Sequence, residues 1–541
     1  MRPLRSVAGR EVRRVAEPQT EGQTDVGDGD TAAAPADDGV RQRHGDRLAG
    51  IDAAFLEMES LTVHMHVGAL FIFEPPEDRT NFTFSRLLEV VRSRLHLVPR
   101  YRQRLAYPPM KVGNPVWVDD RHFDLSYHVR HAALPAPGST QQLTEYCMRI
   151  LSRQLDRDRP LWELYVIEGL EEDRIAILGK SHHAMVDGMG GIDIATVMLD
   201  VTPDQSDEIP PPQPWEPAAT PSPTELATDQ AVRLATSPTE LIESAQRVAR
   251  TPAKTAKKVA VVGRGVANVV RSNLTKPAPR SLLNQPPGTH RRFAIQRVAL
   301  EDVKTIKNAF GTTVNDVVLA VVADAVGRFL RDRTARTDGL WLRAMVPVST
   351  RTDSESHQLG NRVVTSFVDL PMWEMDPIER LRICHDAMSE VKSSHAAVGA
   401  GFLIGLGDFA PPTIHAMASR VAVNSRLFNF LVTNVPGPQI PIYCLGARLI
   451  GAFPFTPLAA NHSFGVGVMS IDGWMNFGFT ADYDALPDIE RITGHLVVSV
   501  TELLRCAQAA TEHRDRCSPR TGSDADVITP HSAVADGSED A

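Results

Sequence analysis

The chain has 541 residues, 43% of them hydrophobic and 23% charged, with a net charge of −9. Such a length exceeds one ordinary core, so two domains of about 200 residues plus linkers are expected. The acidic balance supplies no field that would draw a nucleic-acid backbone, and no motif for one is present. The five cysteines (Cys147, Cys384, Cys444, Cys506 and Cys517) are scattered and form no Cys-x-x-Cys pair. That pattern argues against a zinc site or a disulfide scaffold and for a reducing cytoplasm. No uninterrupted apolar run approaches the ~20 residues that span a bilayer. The arginines near the start have no apolar segment behind them, so they do not read as a secretory signal. Any membrane association is expected to be peripheral.

In chain order, residues 1–46 are rich in Arg, Asp, Gly and Ala and lack periodicity. They read as a disordered extension or an over-long choice of start. A first domain is expected over 47–201. Within it, Val67 to Phe73 is strand-like and Phe84 to Leu97 has helical spacing. The apolar run Ile175-Ala176-Ile177-Leu178 reads as a strand leading into Ser181-His182-His183-Ala184-Met185-Val186-Asp187-Gly188, and Gly191 to Leu199 reads as a helix leading out. A linker follows over 202–290. Its first part is proline-rich (Pro210-Pro211-Pro212, Pro214, Pro217, Pro221, Pro223), hence stiff and extended. Its second part, Glu225 to about Asn273, is helical in pattern and combines Arg247, Arg250, Lys254, Lys257, Lys258, Arg264 and Arg271 with several valines. It reads either as a membrane-surface helix or as a connector with a solvated basic face. A second domain is expected over 291–510. There Val314, Val318, Val321, Ala325 and Phe329 share a helix face, 340–348, 363–370, 464–471 and 474–480 read as strands, and Ile489 to Ala507 as a last helix. The polar, acidic residues 511–541 read as a disordered tail. Helices mixed with strands in both halves predict an α/β class, with layers of each kind in each domain.

The histidine segment carries the chemistry. Histidine is the usual side chain for moving a proton near neutral pH, and a strand–loop–helix junction can aim it into a cleft. His183 is the candidate general base, taking the proton from a hydroxyl as it attacks a carbonyl. His182 is either a second polar contact or a packed, supporting residue. Asp187 either orients His183 or holds the loop through an arginine elsewhere, and Gly188 frees the backbone where the loop turns. Rival motifs fail. Gly179-Lys180-Ser181 lacks the earlier glycine of a phosphate loop, which here is Arg174. Gly-x-Ser-x-Gly and His-Glu-x-x-His are absent, and Gly188, Gly190 and Gly191 do not form a dinucleotide fingerprint. Nothing in these residues calls for a metal or a redox cofactor.

The order His-His-x-x-x-Asp-Gly resembles the signature of the CoA-dependent acyltransferase superfamily. Further segments resemble, within it, the actinobacterial wax ester synthase/diacylglycerol acyltransferase family. They are Asp52-Ala53-Ala54-Phe55 with Met65-His66-Val67-Gly68, Pro160-Leu161-Trp162-Glu163, Asn315-Asp316, Pro347 to Arg351 with Gly360-Asn361, and Asn434-Val435-Pro436-Gly437-Pro438. The resemblance spans about residues 48–507.

It implies two chloramphenicol-acetyltransferase-like domains joined by a long linker, with the active-site channel between them and acyl-CoA and the alcohol entering from opposite sides. It also implies direct transfer without an acyl-enzyme, and Asp187 holding the loop rather than the base. The expected reaction moves a long-chain acyl group from acyl-CoA, a substrate rather than a cofactor, to diacylglycerol. A fatty alcohol acceptor, giving wax ester, is the alternative, and a non-catalytic lipid-binding or lipid-droplet protein is the alternative of another class. The retained His183, Asp187 and Gly188 favour an enzyme. The implied location is cytoplasmic, at the inner membrane face or on lipid bodies. Pro160, Trp162, Asn315, Asn434 and Gly437 are candidate channel residues, each with a packing, capping or turn role as the default. His66 reads as a buried, hydrogen-bonded side chain, and His462 and Ser463 as residues of a strand near the channel.

Overall fold

The computed structural model describes residues 46–48, 50–76, 82–109, 114–186, 197–203, 209–229, 277–333, 336–349, 363–393 and 427–517. Asp187, Gly188, most of 191–199, the basic stretch 247–271, Arg351, Gly360-Asn361 and both chain ends lie outside the described residues.

The strands of the first half are β1 (Asp46–Arg47), β2 (His66–Glu74), β3 (Gln103–Ala106), β4 (Val116–Asp119), β5 (Val129–Ala133), β6 (Trp162–Glu168) and β7 (Ile175–His182). Those of the second half are β8 (Arg291–Ala299), β9 (Trp341–Ser349), β10 (Val363–Pro371), β11 (Phe430–Pro436), β12 (Tyr443–Cys444), β13 (Ala447–Phe455), β14 (Phe464–Ile471) and β15 (Trp474–Asp482). They assemble into two six-stranded sheets, ordered β12-β13-β2-β7-β6-β5 and β10-β9-β11-β14-β15-β8, and a small sheet β1-β4-β3. The class is mixed α/β, as expected. The expected strands coincide with β2, β9, β10, β14 and β15 to within a residue or two at their ends. Both large sheets are mixed: β5 runs parallel to β6, and β11 runs parallel to both β9 and β14, while the other pairs are antiparallel.

The first sheet is completed by the second half of the chain. β13 pairs antiparallel with β2, Ala452 opposite Phe71 and Phe453 opposite Leu70. Its sequence ARLIGAFPF is almost wholly buried, so pairing covers both an apolar strand and the open edge of β2. The two sheets therefore do not divide the chain at the linker.

Four helices pack around the second sheet's core: α6 (Leu300–Phe310), α7 (Val314–Asp332), α8 (Pro377–Ser393) and α9 (Arg491–Cys517). The earlier helices are α1 (Gly50–Met58), α2 (Phe84–Arg94), α3 (Leu125–His128), α4 (Thr140–Leu151) and α5 (His183–Val186). α7 is apolar on nearly every face because it is buried on nearly every face. Its start is a capping box: the Asp316 amide donates to Thr313 Oγ1 (3.3 Å) and the Thr313 amide to Asp316 Oδ2 (2.9 Å). α4 starts the same way, with Ser139 and Gln142. Among the described residues, no single helix is long and apolar enough to cross a membrane.

Candidate active site

The site forms where β7 ends and α5 begins. His66 opens β2 directly opposite His182, the last residue of β7. β2 and β7 approach closely because Gly68 has φ +159° and a Cβ there would lie 2.0 Å from the Gly179 carbonyl oxygen. Three hydrogen bonds donated by backbone amides hold the junction, two accepted by carbonyls and one by a side chain. The His182 amide donates to the Leu161 carbonyl (3.0 Å), the His183 amide to the Met65 carbonyl (2.9 Å), and the Ala184 amide to Nδ1 of His182 (3.1 Å). Met65 itself sits at φ +48°, a left-handed conformation uncommon for a residue with a side chain.

Pro160-Leu161-Trp162 acts through that frame. Trp162 is fully buried, its Nε1–H donates to the Tyr101 carbonyl (2.8 Å), and its ring stacks on His128 with centroids 4.7 Å apart. The buried tryptophan and Pro160 hold Leu161 where its carbonyl receives the His182 amide. Lys180, buried two residues earlier, fastens β7 to α4 by donating to the carbonyls of Ile150 (3.1 Å) and Arg153 (2.6 Å). Burial pushes its ammonium down to about 8.

The two histidines are placed differently. His182 is 1% exposed. Burial first, then the charge of Arg157 and the proximity of His183, push it down to about 3, so its ring is neutral near pH 7. Neutral imidazole has one lone pair, and Nδ1 uses it to accept from Ala184. Nε2 therefore carries the proton, 3.8 Å from Oε2 of Glu59. His183 is half-buried on the first turn of α5, with its ring stacked on Phe55 of α1, centroids 4.0 Å apart.

Glu59 and Arg157 are absent from the motif reading, yet they border the pair. Arg157 Nε donates to Glu59 Oε2 (2.9 Å), and its Nη2 donates to the same carboxylate oxygen and to the Leu56 carbonyl (2.8 Å). Glu59 is almost fully enclosed, its side chain 4% exposed. The residues lie 98 positions apart, and no local pattern announces a pair at that distance.

The other candidates occupy the second half. Asn315 lies in the first turn of α7 between the capping residues Thr313 and Asp316, and Asp316 also accepts from Nδ1 of His385 (2.8 Å). Asn434 is on β11 opposite Val468. Gly437 turns the chain against β14: its amide donates to the Ser470 carbonyl (2.8 Å), and a Cβ would fall 2.5 Å from that oxygen. His462 packs on Phe428 with centroids 3.9 Å apart, and Ser463 donates to the Leu282 carbonyl (3.3 Å). Cys147, Cys384 and Cys444 are fully buried, and burial pushes the thiols of Cys384 and Cys444 up to about 12, far from nucleophile behaviour. Among the described residues, no three His, Cys, Asp or Glu side chains gather as a metal site.

Residues 48–318 match the wax ester synthase/diacylglycerol acyltransferase catalytic domain, and residues 359–504 match the C-terminal domain of the same family. A Mycobacterium tuberculosis (strain CDC 1551) protein that carries the name diacylglycerol O-acyltransferase is 32% identical over 479 residues, covering 87% of this chain and 93% of its own. A Mycobacterium bovis protein with that name is 32% identical over 476 residues, covering 87% of this chain and 98% of its own. Among solved structures, the wax ester synthase/diacylglycerol acyltransferase from Marinobacter aquaeolei VT8 superposes with a TM-score of 0.59 at 29% identity, covering 85% of this chain and all of that one. The first condensation domain of the CDA synthetase, at 15% identity and TM-score 0.50, shares the fold. The chain belongs to the wax ester synthase/diacylglycerol acyltransferase family, and it is an acyltransferase.

Proposed function

We propose that the protein transfers a long-chain acyl group from acyl-CoA to the free hydroxyl of diacylglycerol, with His183 as general base and no covalent intermediate. The observation that carries this reading is the division within the histidine pair. The lone pair of His182 is taken by the Ala184 amide, whereas His183 is only half-buried and opens α5, its amide held by the Met65 carbonyl just after a strand end fastened to Leu161. The His183 imidazole takes the hydroxyl proton as the alcohol oxygen bonds to the thioester carbon. Collapse of the tetrahedral centre breaks the C–S bond, and the imidazolium returns the proton to the departing thiolate, giving ester and free CoA. A positioned base of this kind supplies about 10²–10⁴-fold, and the rest must come from holding both substrates together.

Diacylglycerol is the proposed acceptor because the mycobacterial relatives at 32% identity carry that name. A long-chain alcohol is the second reading, favoured by the double name of the Marinobacter structure. The chemistry as written consumes acyl-CoA as a substrate and needs no resident cofactor. Acceptor and product are lipids, so we place the reaction at a lipid surface, on the cytoplasmic face of the inner membrane or on lipid bodies, with no nucleic-acid partner.

The test is a product assay with purified protein, palmitoyl-CoA, and diacylglycerol or hexadecanol offered separately and together. Triacylglycerol formation that disappears in His183→Ala is expected. Faster wax ester formation would transfer the assignment to the alcohol, and a His183→Ala protein with wild-type turnover would remove His183 from the mechanism.

A further inference from the structure

Behind the catalytic junction lies a small pocket lined by His64, Met65, His66, Arg291, Thr456 and Thr480, among others, with a cavity volume of about 30 Å³. A buried water needs roughly 10–15 Å³ by the same measure, so the pocket admits water and is too small for an acyl chain. Three side chains that line it are more than nine-tenths buried: His64 is 7% exposed, His66 4% and Thr456 5%. Nε2 of His66, Oγ1 of Thr456 and both ring nitrogens of His64 have no partner in good hydrogen-bond geometry. The His64 ring does interact with the backbone of Ser60 and Ser152, so the atoms that matter here are those of His66 and Thr456. The orphaned Nε2 of His66 and Oγ1 of Thr456, on two residues that line one cavity, require an explanation, because each would otherwise carry a desolvation penalty.

The chemistry of the lining selects the occupant. His66 donates from Nδ1 to the Leu151 carbonyl (3.2 Å), so in the neutral ring Nε2 is an acceptor and needs a donor opposite it. Arg291 does not convert the pocket into an anion site. Its terminal nitrogens already serve the carbonyls of Gly288 (2.7 Å), His290 (3.0 Å) and Thr62, and Asp482 lies 3.8 Å away. A cation is disfavoured by that same guanidinium. What remains is a small neutral group that both donates and accepts, which is water.

We propose that this pocket is a built water site in which one water donates to Nε2 of His66 and bonds Oγ1 of Thr456, and that this water positions His183. The link to His183 is short. Met65 lies between His64 and His66, lines the pocket, holds a left-handed backbone conformation, and supplies the carbonyl that receives the His183 amide. A water that ties His66 to Thr456 fixes this strained turn from below and so sets where α5 begins. Thr456 follows directly on β13, so the water also couples the strand contributed by the second half to the loop of the first. Thr456 and His66 are thus positioning residues that never touch substrate.

The test combines a high-resolution crystal structure of the full chain with steady-state kinetics of Thr456→Val and Thr456→Ser. In the wild type, density for a water within hydrogen-bond reach of His66 Nε2 and Thr456 Oγ1 is expected. In Thr456→Val that water should be lost and kcat should fall roughly tenfold with KM unchanged, the signature of a misplaced catalytic group. Thr456→Ser, which keeps the hydroxyl, should restore both. A wild-type pocket without ordered water overturns the site, and wild-type kcat in a Thr456→Val protein that has lost the water overturns the positioning role. The kinetic arm rests on the proposed role of His183 and the crystallographic arm does not, so failure of one reading is distinguishable from failure of the other. Should Thr456→Val fail to fold, the wild-type density together with Thr456→Ser still decides the site.

Discussion

The amide of Ala184 donates to Nδ1 of His182 across 3.1 Å, so the first histidine of the pair spends its only lone pair on the helix that carries the second. His182 behaves as a side-chain cap at the start of α5. The tautomer that results, protonated at Nε2, faces the buried carboxylate of Glu59.

This relationship separates His182→Asn from His182→Leu. Asparagine presents an acceptor at nearly the place of Nδ1, whereas leucine strands the Ala184 amide, at a cost of about 1–3 kcal/mol. His182→Asn should retain much of the wild-type kcat and melt close to wild type, and His182→Leu should lose both. Steady-state assays and thermal melts of the two variants check this. An asparagine variant as inactive as His183→Ala would instead give His182 a chemical role.

Stability should fall on mild acidification for a reason located in the same cluster. The unfolded chain binds a proton on each histidine near pH 6.5, but folded His64 does so only near pH 4 and folded His182 only near pH 3. Burial is the main cause at both residues, reinforced by Arg291 and Lys180 at His64 and by Arg157 and His183 at His182. Between pH 6.5 and those values the unfolded state holds more protons, so unfolding becomes easier as pH drops, by up to about 1.4 kcal/mol per pH unit for each residue. Urea melts at pH 7.5, 6.0 and 5.0 should show this slope, and His64→Asn should flatten it. A His64→Asn protein with an unchanged slope would exclude His64 as a source.

The Glu59–Arg157 pair should prove asymmetric. Arg157→Met leaves an enclosed carboxylate without its cation, which costs roughly 3–5 kcal/mol for a fully buried pair. The lower end applies because the Arg157 side chain is 38% exposed against 4% for Glu59. Adding Glu59→Gln should recover part of the loss, since the uncompensated charge is then gone. Chemical denaturation of both single variants and the double variant measures this. A double variant less stable than Arg157→Met alone would mean that Glu59 is held by partners other than Arg157.

Much of the site is legible in the residues themselves, and the way each reading succeeds or fails is physical. His182-His183 after a four-residue apolar run reads as a strand ending in a histidine pair because side-chain alternation and helix periodicity are local properties. Trp162 reads as core because a large apolar ring is seldom left in water, and it is buried. Asn315-Asp316 resembles a pair that opens a helix, and it does open α7, but the capping box there is made by Thr313 and Asp316 rather than by Asn315. Asn434 and Gly437 stand out as a motif, but Gly437's role, close approach to the Ser470 carbonyl, depends on a strand thirty-odd residues away.

The sequence by itself determined the α/β class, strands β2, β9, β10, β14 and β15 with the start of β7, helices α2, α7 and α9, the histidine junction and, through its motifs, the family, because each rests on residues near one another in the chain. Only the tertiary structure decided that β13 of the second half closes the first sheet, that Glu59 meets Arg157, and that the lone pair of His182 is consumed while His183 stays half-buried. Those outcomes follow from which apolar edge finds cover and which polar atom is left to find a partner once the core has formed. Neither is a property of any short stretch of residues.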